Sequence, residues 1–242
     1  MSIDEILIYN GHRPWPLPNS KWRYYQEWND VVFLHWKVDT NELTRWVPRE
    51  LEIESYDGNA WVSVVAFSME NVRLRNFPAF PPISNFHEIN IRTYVRHNGK
   101  SGVYFLSIEG AKLPSCKIAR TMSGLPYKYS PMKRTIGYFQ SKNIQSGSKF
   151  NLEYSKGGVM ENKEALDIWL TERYALFQDT RLGVTEFEIH HVPWKVLNFD
   201  SLELDINYPS FQQYFSCPPD KSHYSSGVQV LAWNGRRHKI KG

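Results

Sequence analysis

Four polar side chains fall at alternate positions of one apolar run: Glu88, Asn90, Arg92 and Tyr94 within Phe86 to Val95. Successive side chains of an extended strand point to opposite faces. These four therefore share one face, and Ile89, Ile91, Thr93 and Val95 share the other. Such a row is either the wet side of a half-buried antiparallel strand or the polar wall of a pocket. As a pocket wall it has defined chemistry. Arg92 can hold an anionic or carbonyl oxygen through its planar guanidinium, which binds bidentately. Glu88 can act as general acid or base where the pocket raises its pKa. Asn90 and Tyr94 can orient a polar ligand between aromatic walls. Arg120 and the run Leu125-Pro126-Tyr127-Lys128 further along shift the balance toward a site.

Other chemistry-bearing residues lack partners. His35 has no second ligand at metal spacing, and the side chains of His190 and His191 diverge if they lie on a strand. Cys116 stands beside Lys117 but has no histidine at a defined distance, and two cysteines, Cys116 and Cys217, make neither a disulfide framework nor a metal motif. The expectation is no metal, no cofactor and two free thiols in a reducing, cytoplasmic compartment.

The site needs a scaffold, and the composition provides one. The 242 residues are 41% hydrophobic and 15% aromatic, enough for a sizeable core, and 22% charged. The net charge of +4 is modest, and the one dense basic cluster, Arg236 to Lys241, reads as a solvated tail rather than a nucleic-acid surface. Met1 to Tyr9 lacks a signal-peptide pattern, and no run approaches the ~20 apolar residues that span a bilayer. The expected partner is a small-molecule ligand, with neither nucleic acid nor membrane.

Along the chain, His12 to Pro18 carries three prolines and belongs to an extended arm over residues 1–20. Strands are expected at Trp22 to Trp28 and Val31 to Val38, split by a turn at Asn29-Asp30. Asp39 caps a short helix that ends at Pro48. Asp57-Gly58 turns the chain into a strand from Ala60 to Met69 that is apolar on both faces. Asn76 to Ser84, rich in proline and phenylalanine, reads equally as a pocket lid or as a loop packed on the core. Asn98-Gly99 is a type I′ turn pair leading to a strand from Gly102 to Ile108. Further strands are expected at Ser115 to Met122, Lys133 to Ser141, Phe150 to Ser155, Val184 to Val192, Leu202 to Ile206 and Val228 to Trp233. Leu166, Trp169, Leu170, Arg173 and Phe177 recur at helical spacing and predict one long helix from Asn162 to Phe177, its stripe a core or subunit contact compatible with a homo-oligomer. Many strands, one long helix and no βαβ alternation argue a single, predominantly β, α+β domain over residues 1–242.

The segments His12-Arg13-Pro14-Trp15-Pro16, Tyr56-Asp57-Gly58-Asn59-Ala60-Trp61, Glu88 to Val95 and Leu125-Pro126-Tyr127 resemble the YqjF-like family of uncharacterised proteins, from about His12 to the C-terminus. That family is in turn similar to the acetoacetate decarboxylase-like superfamily, a likeness carried by Leu43 to Lys128. It implies an antiparallel β-cone or barrel around a central pocket. Val47 to Ile53 stands where those decarboxylases have Val-Pro-x-x-Leu-Glu-Ile. Glu88 matches their pocket glutamate, and Arg120 matches an arginine ahead of Tyr-Pro-Lys-Lys.

In those enzymes the lysine directly after proline forms a Schiff base with a keto acid, and the second lysine depresses its pKa. Here Tyr127 follows Pro126 and Lys128 falls on the helper position. A phenol forms no imine, and a takeover by Lys128 needs a twist or bulge, because neighbours on extended chain face opposite ways. Three functions follow as expectations. The favoured one is a protein of this fold binding a polar or anionic organic ligand through Asn90, Arg92, Tyr94 and Tyr127. The second is a lyase or decarboxylase with Lys128 as imine former beside Glu88 and Arg120. The third is an oligomeric scaffold whose polar strand is a wet face.

Overall fold

The computed structural model describes residues 1–180 and 183–238. Helix α1 (Ile3–Ile8) is fixed by a capping box: Ser2 Oγ accepts from the Glu5 amide and the Glu5 carboxylate accepts from the Ser2 amide. The expected extended arm is therefore helical over its first part. Beyond it the prolines keep the chain extended, and Arg13 anchors it by pairing with Glu188 at 3.0 Å and donating to the Ile189 carbonyl.

Next come β1 (Tyr24–Val38), α2 (Thr40–Leu43), β2 (Glu52–Ile53) and β3 (Ala60–Leu74). The turn expected at Asn29-Asp30 is a bulge inside one continuous β1. Asp30 takes a positive φ of 51° and the register with β3 slips between Asn29 and Val32. Then follow α3 (Pro81–Ser84), β4 (Phe86–His97), β5 (Lys100–Gly110), α4 (Leu113–Ser123) and β6 (Tyr127–Tyr129). Asn98 and Gly99, between β4 and β5, both have positive φ, 49° and 78°, as a type I′ turn requires. The remaining elements are β7 (Met132–Thr135), β8 (Tyr138–Asn143), β9 (Ser148–Val159), α5 (Ala165–Thr171), β10 (Ala175–Thr180), β11 (Gly183–His190), β12 (Leu197–Asn207), a 3₁₀ turn at Gln212–Phe215, β13 (Lys221–Ala232) and β14 (Arg236–Arg237).

Two further expectations are corrected. Ser115 to Met122 is not a strand but lies in α4. Pro114 sits in its first turn, where a missing N–H costs nothing, and Gly124 ends it in the left-handed conformation. The long helix from Asn162 to Phe177 is only α5, after which the chain turns into β10. The Arg173 side chain folds back so that its Nε donates to the Trp169 carbonyl at 2.7 Å, satisfying a helix-end acceptor. The apolar run Ala175-Leu176-Phe177 then pairs with β11 and β5. Short apolar runs carry no period that separates helix from strand.

Hydrogen bonding runs β11-β10-β5-β4-β3-β1-β13, and β11 pairs again with β13 at Ile189↔Ala232, so the sheet closes on itself. Every neighbour in this circuit is antiparallel except β10 with β5. From β13 the sheet also continues through β12, β9, β8 and β7. The chain is thus predominantly β, with its core on two sides of the strands. Val32, Val64, Ile89 and Ile91 pack with Phe139, Phe150 and Leu152 of the continuation. Alternate residues Val31, Phe33, Val65, Phe67 and Tyr94 pack together on the inner side with Val103, Ile108 and Val230. No helix among the described residues is long and apolar enough to cross a membrane.

Candidate functional site

β4 lies between β3 and β5, which fix its register at Val65↔Asn90 and Asn90↔Ile108. Glu88, Asn90, Arg92 and Tyr94 are 2%, 4%, 8% and 0% exposed, so this face is not wet. Three of the four, with Tyr127 of β6, line an internal cavity of about 400 Å³, whose walls include Trp28, Phe33, Phe67, Phe105 and Trp194. Tyr94 is not among the lining residues.

At the polar end Glu88 Oε2 accepts from the Tyr127 hydroxyl at 2.8 Å and Oε1 from Asn90 Nδ2 at 3.2 Å. Burial pushes the Glu88 carboxyl up to about 7, against the lowering effect of those two bonds. Burial and the facing carboxyl hold the Tyr127 phenol well above its usual range. Arg92 Nη2 donates to the Leu170 carbonyl at 3.3 Å, while its Nε and the Oδ1 of Asn90 have no protein partner. No carboxylate among the described residues comes within ion-pair distance of Arg92. Its guanidinium carbon lies 5.7 Å from the Phe33 ring centre and 5.9 Å from that of Tyr94. Leaving a buried donor unmade costs about 1–3 kcal/mol, more for a charged group. On one wall of the cavity, four positions apart on β4, a neutral carboxylic acid can donate to a ligand oxygen and an unpaired guanidinium can bind an anion.

Two lining residues had no distinguishing signal in the sequence. Arg173, expected on a helix stripe, borders the cavity instead, with Nη1 paired to Glu54 at 2.6 Å and Nη2 unpartnered. His191 lines the cavity while His190 turns away to the Ile6 carbonyl, 2.7 Å distant. They diverge as strand neighbours do.

Arg120 and Lys128 are not brought to the cavity. β6 runs parallel to β5 with Ile108↔Tyr127 and Glu109↔Lys128, so Tyr127 is buried and Lys128 is exposed. Arg120 is exposed on α4 and donates to the Tyr127 carbonyl. Among the described residues no lysine lines the cavity. The Cys116 thiol is buried, donates weakly to the Gly110 carbonyl at 3.4 Å, and is pushed up by burial and by the nearby Glu88. That favours the unreactive thiol.

Beyond Arg92, the Tyr94 ring packs against Trp169 of α5, and its hydroxyl donates to the same Leu170 carbonyl at 2.9 Å. From there a buried chain runs Tyr94 OH to Ser63 Oγ (2.7 Å), Ser63 to His35 Nδ1 (2.6 Å), His35 Nε2 to His223 Nδ1 (3.2 Å) and His223 Nε2 to Asp167 Oδ1 (2.9 Å). Tyr94 therefore supports the floor under Arg92 rather than facing the open volume.

Comparison with known proteins agrees with this architecture. Residues 25–229 match the model of DUF2071, a family described as an uncharacterized conserved protein. YqjF of Bacillus subtilis (strain 168) is 35% identical over 230 residues, covering 91% of this chain and 95% of that one. Among solved structures, acetoacetate decarboxylase from Legionella pneumophila aligns with a TM-score of 0.63 at 14% identity, over 98% of this chain and 97% of that one. An acetoacetate decarboxylase-like enzyme from Sphingomonas wittichii gives 0.63 at 15% identity, over 91% and 94%. The enduracididine biosynthesis enzyme MppR complexed with pyruvate gives 0.61 at 11%, over 92% of each chain. With its match spanning most of the sequence and its strands following those structures, the chain belongs to the DUF2071 family and has an acetoacetate decarboxylase-like fold.

Proposed function

We propose that this protein binds a small anionic organic ligand in the aromatic-walled cavity. The observation that carries the reading is Arg92: a buried guanidinium with an open Nε and, among the described residues, no carboxylate partner, at the polar end of an aromatic-walled volume. The ligand's carboxylate pairs with Arg92, and another ligand oxygen takes one hydrogen bond from the protonated Glu88 carboxyl. Asn90 and Tyr127 fix the carboxyl's orientation. That MppR, of the same fold, has been complexed with pyruvate supports a pocket for oxo acids. In this reading residues 1–242 are one domain and the closed sheet is a β-barrel around the ligand. The protein works in the cytoplasm, alone or as a homo-oligomer, without nucleic acid or membrane.

Keto-acid cleavage through an imine on Lys128 has less support, because Lys128 faces away from the cavity and no other lysine among the described residues lines it. Two measurements test the proposal. A panel of carboxylates is expected to raise the melting temperature of the native protein, since a ligand of the folded form stabilises it, and to leave Arg92→Met unmoved. Borohydride treatment with a β-keto acid, read by intact mass, is expected to add nothing. An adduct on Lys128 overturns the binding-only reading.

A further inference from the structure

The cavity continues past its polar groups to an apolar mouth. Phe77 and Phe80, in the Pro-rich loop, and Ile118 and Met122, on α4, line it and are nevertheless 62%, 61%, 40% and 45% exposed. Single exposed apolar side chains need no explanation, but four that border one opening form a patch of the kind that marks a binding groove. Ile118 and Met122 are four residues apart and so share a face of α4, the face whose Ser115 and Ala119 also line the cavity. The loop is tied to α4 at its inner end, where Ser115 Oγ donates to the Ile83 carbonyl at 2.8 Å and Lys112 Nζ to the Pro82 carbonyl at 3.2 Å. Among the described residues no hydrogen bond joins 76–80 to 116–123, so nothing polar seals the opening.

Size points the same way. At about 30 Å³ per water-sized group, 400 Å³ accommodates about a dozen such groups. A three-carbon acid fills less than half of that and leaves the aromatic wall bare. We infer that the ligand is an amphiphile, a carboxylate held by Arg92 with an apolar tail of about ten carbon atoms that follows the aromatic wall to the rim of Phe77, Phe80, Ile118 and Met122. This rests on the assignment of Arg92 as the anion site and adds the tail and its path.

The test is a series of straight-chain carboxylates from butanoate to tetradecanoate, with decanol as the head-group control, read by tryptophan fluorescence from Trp28 and Trp194 in the wall. Affinity is expected to rise about fourfold per buried methylene and to level off near decanoate. Met122→Asp and Ile118→Asp, both on exposed positions of α4, are expected to weaken decanoate by about tenfold or more and to leave butanoate unchanged. Arg92→Met weakens every carboxylate and not decanol. If butanoate and decanoate bind equally well, the tail is overturned while the Arg92 site stands. If decanol binds as tightly as decanoate, or no carboxylate of any length binds, the head-group assignment fails and the inference fails with it.

Discussion

Two ends of one strand face behave oppositely. On the inner face of β4, Glu88, Asn90 and Arg92 border open volume, whereas Tyr94, two positions on, is sealed beneath Trp169. At the open end hydrogen-bonding capacity is left over on Asn90 Oδ1 and Arg92 Nε. At the sealed end the groups form a chain of five links from the Leu170 carbonyl through Tyr94, Ser63, His35 and His223 to Asp167. Burial keeps both imidazoles below their usual pKa, His35 well below. With both neutral and Asp167 ionised, the chain holds four protons for five links. The sealed end is short of one proton, and its groups, all fully buried, share the four they have. The open end is short of a donor for Asn90 Oδ1 and of an acceptor for the Arg92 Nε–H, and an oxygen-bearing ligand can supply both. Unmet capacity beside open volume is what supports the proposed binding site.

The largest effect comes from breaking the sealed end. Asp167 accepts from His223, from Lys221 Nζ at 2.8 Å and from the Glu164 amide that begins α5. Asp167→Ala strands all three donors and is expected to cost about 3–5 kcal/mol in urea unfolding. Loss of less than about 1 kcal/mol, the scale of an exposed ion pair, contradicts the view of this end as structural.

At the open end the signs reverse. The folded protein holds the Glu88 carboxyl near 7 where a free glutamic acid lies near 4.5. Its contribution to stability is therefore fully present below about 4.5 and is lost as pH rises through about 7. Glu88→Gln keeps an acceptor for Tyr127 and carries no charge. Relative to the native protein it is expected to gain about 3 kcal/mol of stability between pH 5 and pH 8, measured as paired melting curves. Arg92→Met is expected to stabilise more modestly, by about 1–2 kcal/mol, because it removes a buried cation without an ionic partner, and to abolish the stabilisation by carboxylates. A destabilised Arg92→Met places this residue with the sealed end.

The sequence made the two faces of β4 legible but not the contrast along it. Period two assigns Glu88, Asn90, Arg92 and Tyr94 to one side. It does not say where along that side an α5 helix plugs the space, and so Tyr94 reads as a ligand contact when it is a support. The Asn98-Gly99 turn was readable because positive φ at both positions selects those residues. α4 was not, because Cys116 to Met122 alternates well enough for a strand, and its helical character depends on Pro114 and Gly124 at its ends. Arg173 was hidden for the same reason: the stripe that continues α5 in the sequence is cut by the backbone entering β10.

The smallest expected effect separates two adjacent residues. Parallel pairing of β6 with β5 sends Tyr127 inward and Lys128 outward. Lys128 serves the fold through its backbone, its carbonyl accepting weakly from the Cys116 thiol at 3.5 Å. Lys128→Met is therefore expected to leave both melting temperature and carboxylate affinity unchanged. Tyr127→Phe removes a hydrogen bond that lowers the Glu88 pKa, so the carboxyl moves further up and stays protonated to higher pH. In the native protein carboxylate affinity is expected to fall as pH passes about 7, where Glu88 becomes an anion facing an anion. In Tyr127→Phe that fall shifts to higher pH, and in Glu88→Gln it disappears. If instead Lys128→Met moves the profile and Tyr127→Phe does not, the outward lysine governs the site and the register of β6 is wrong by one residue.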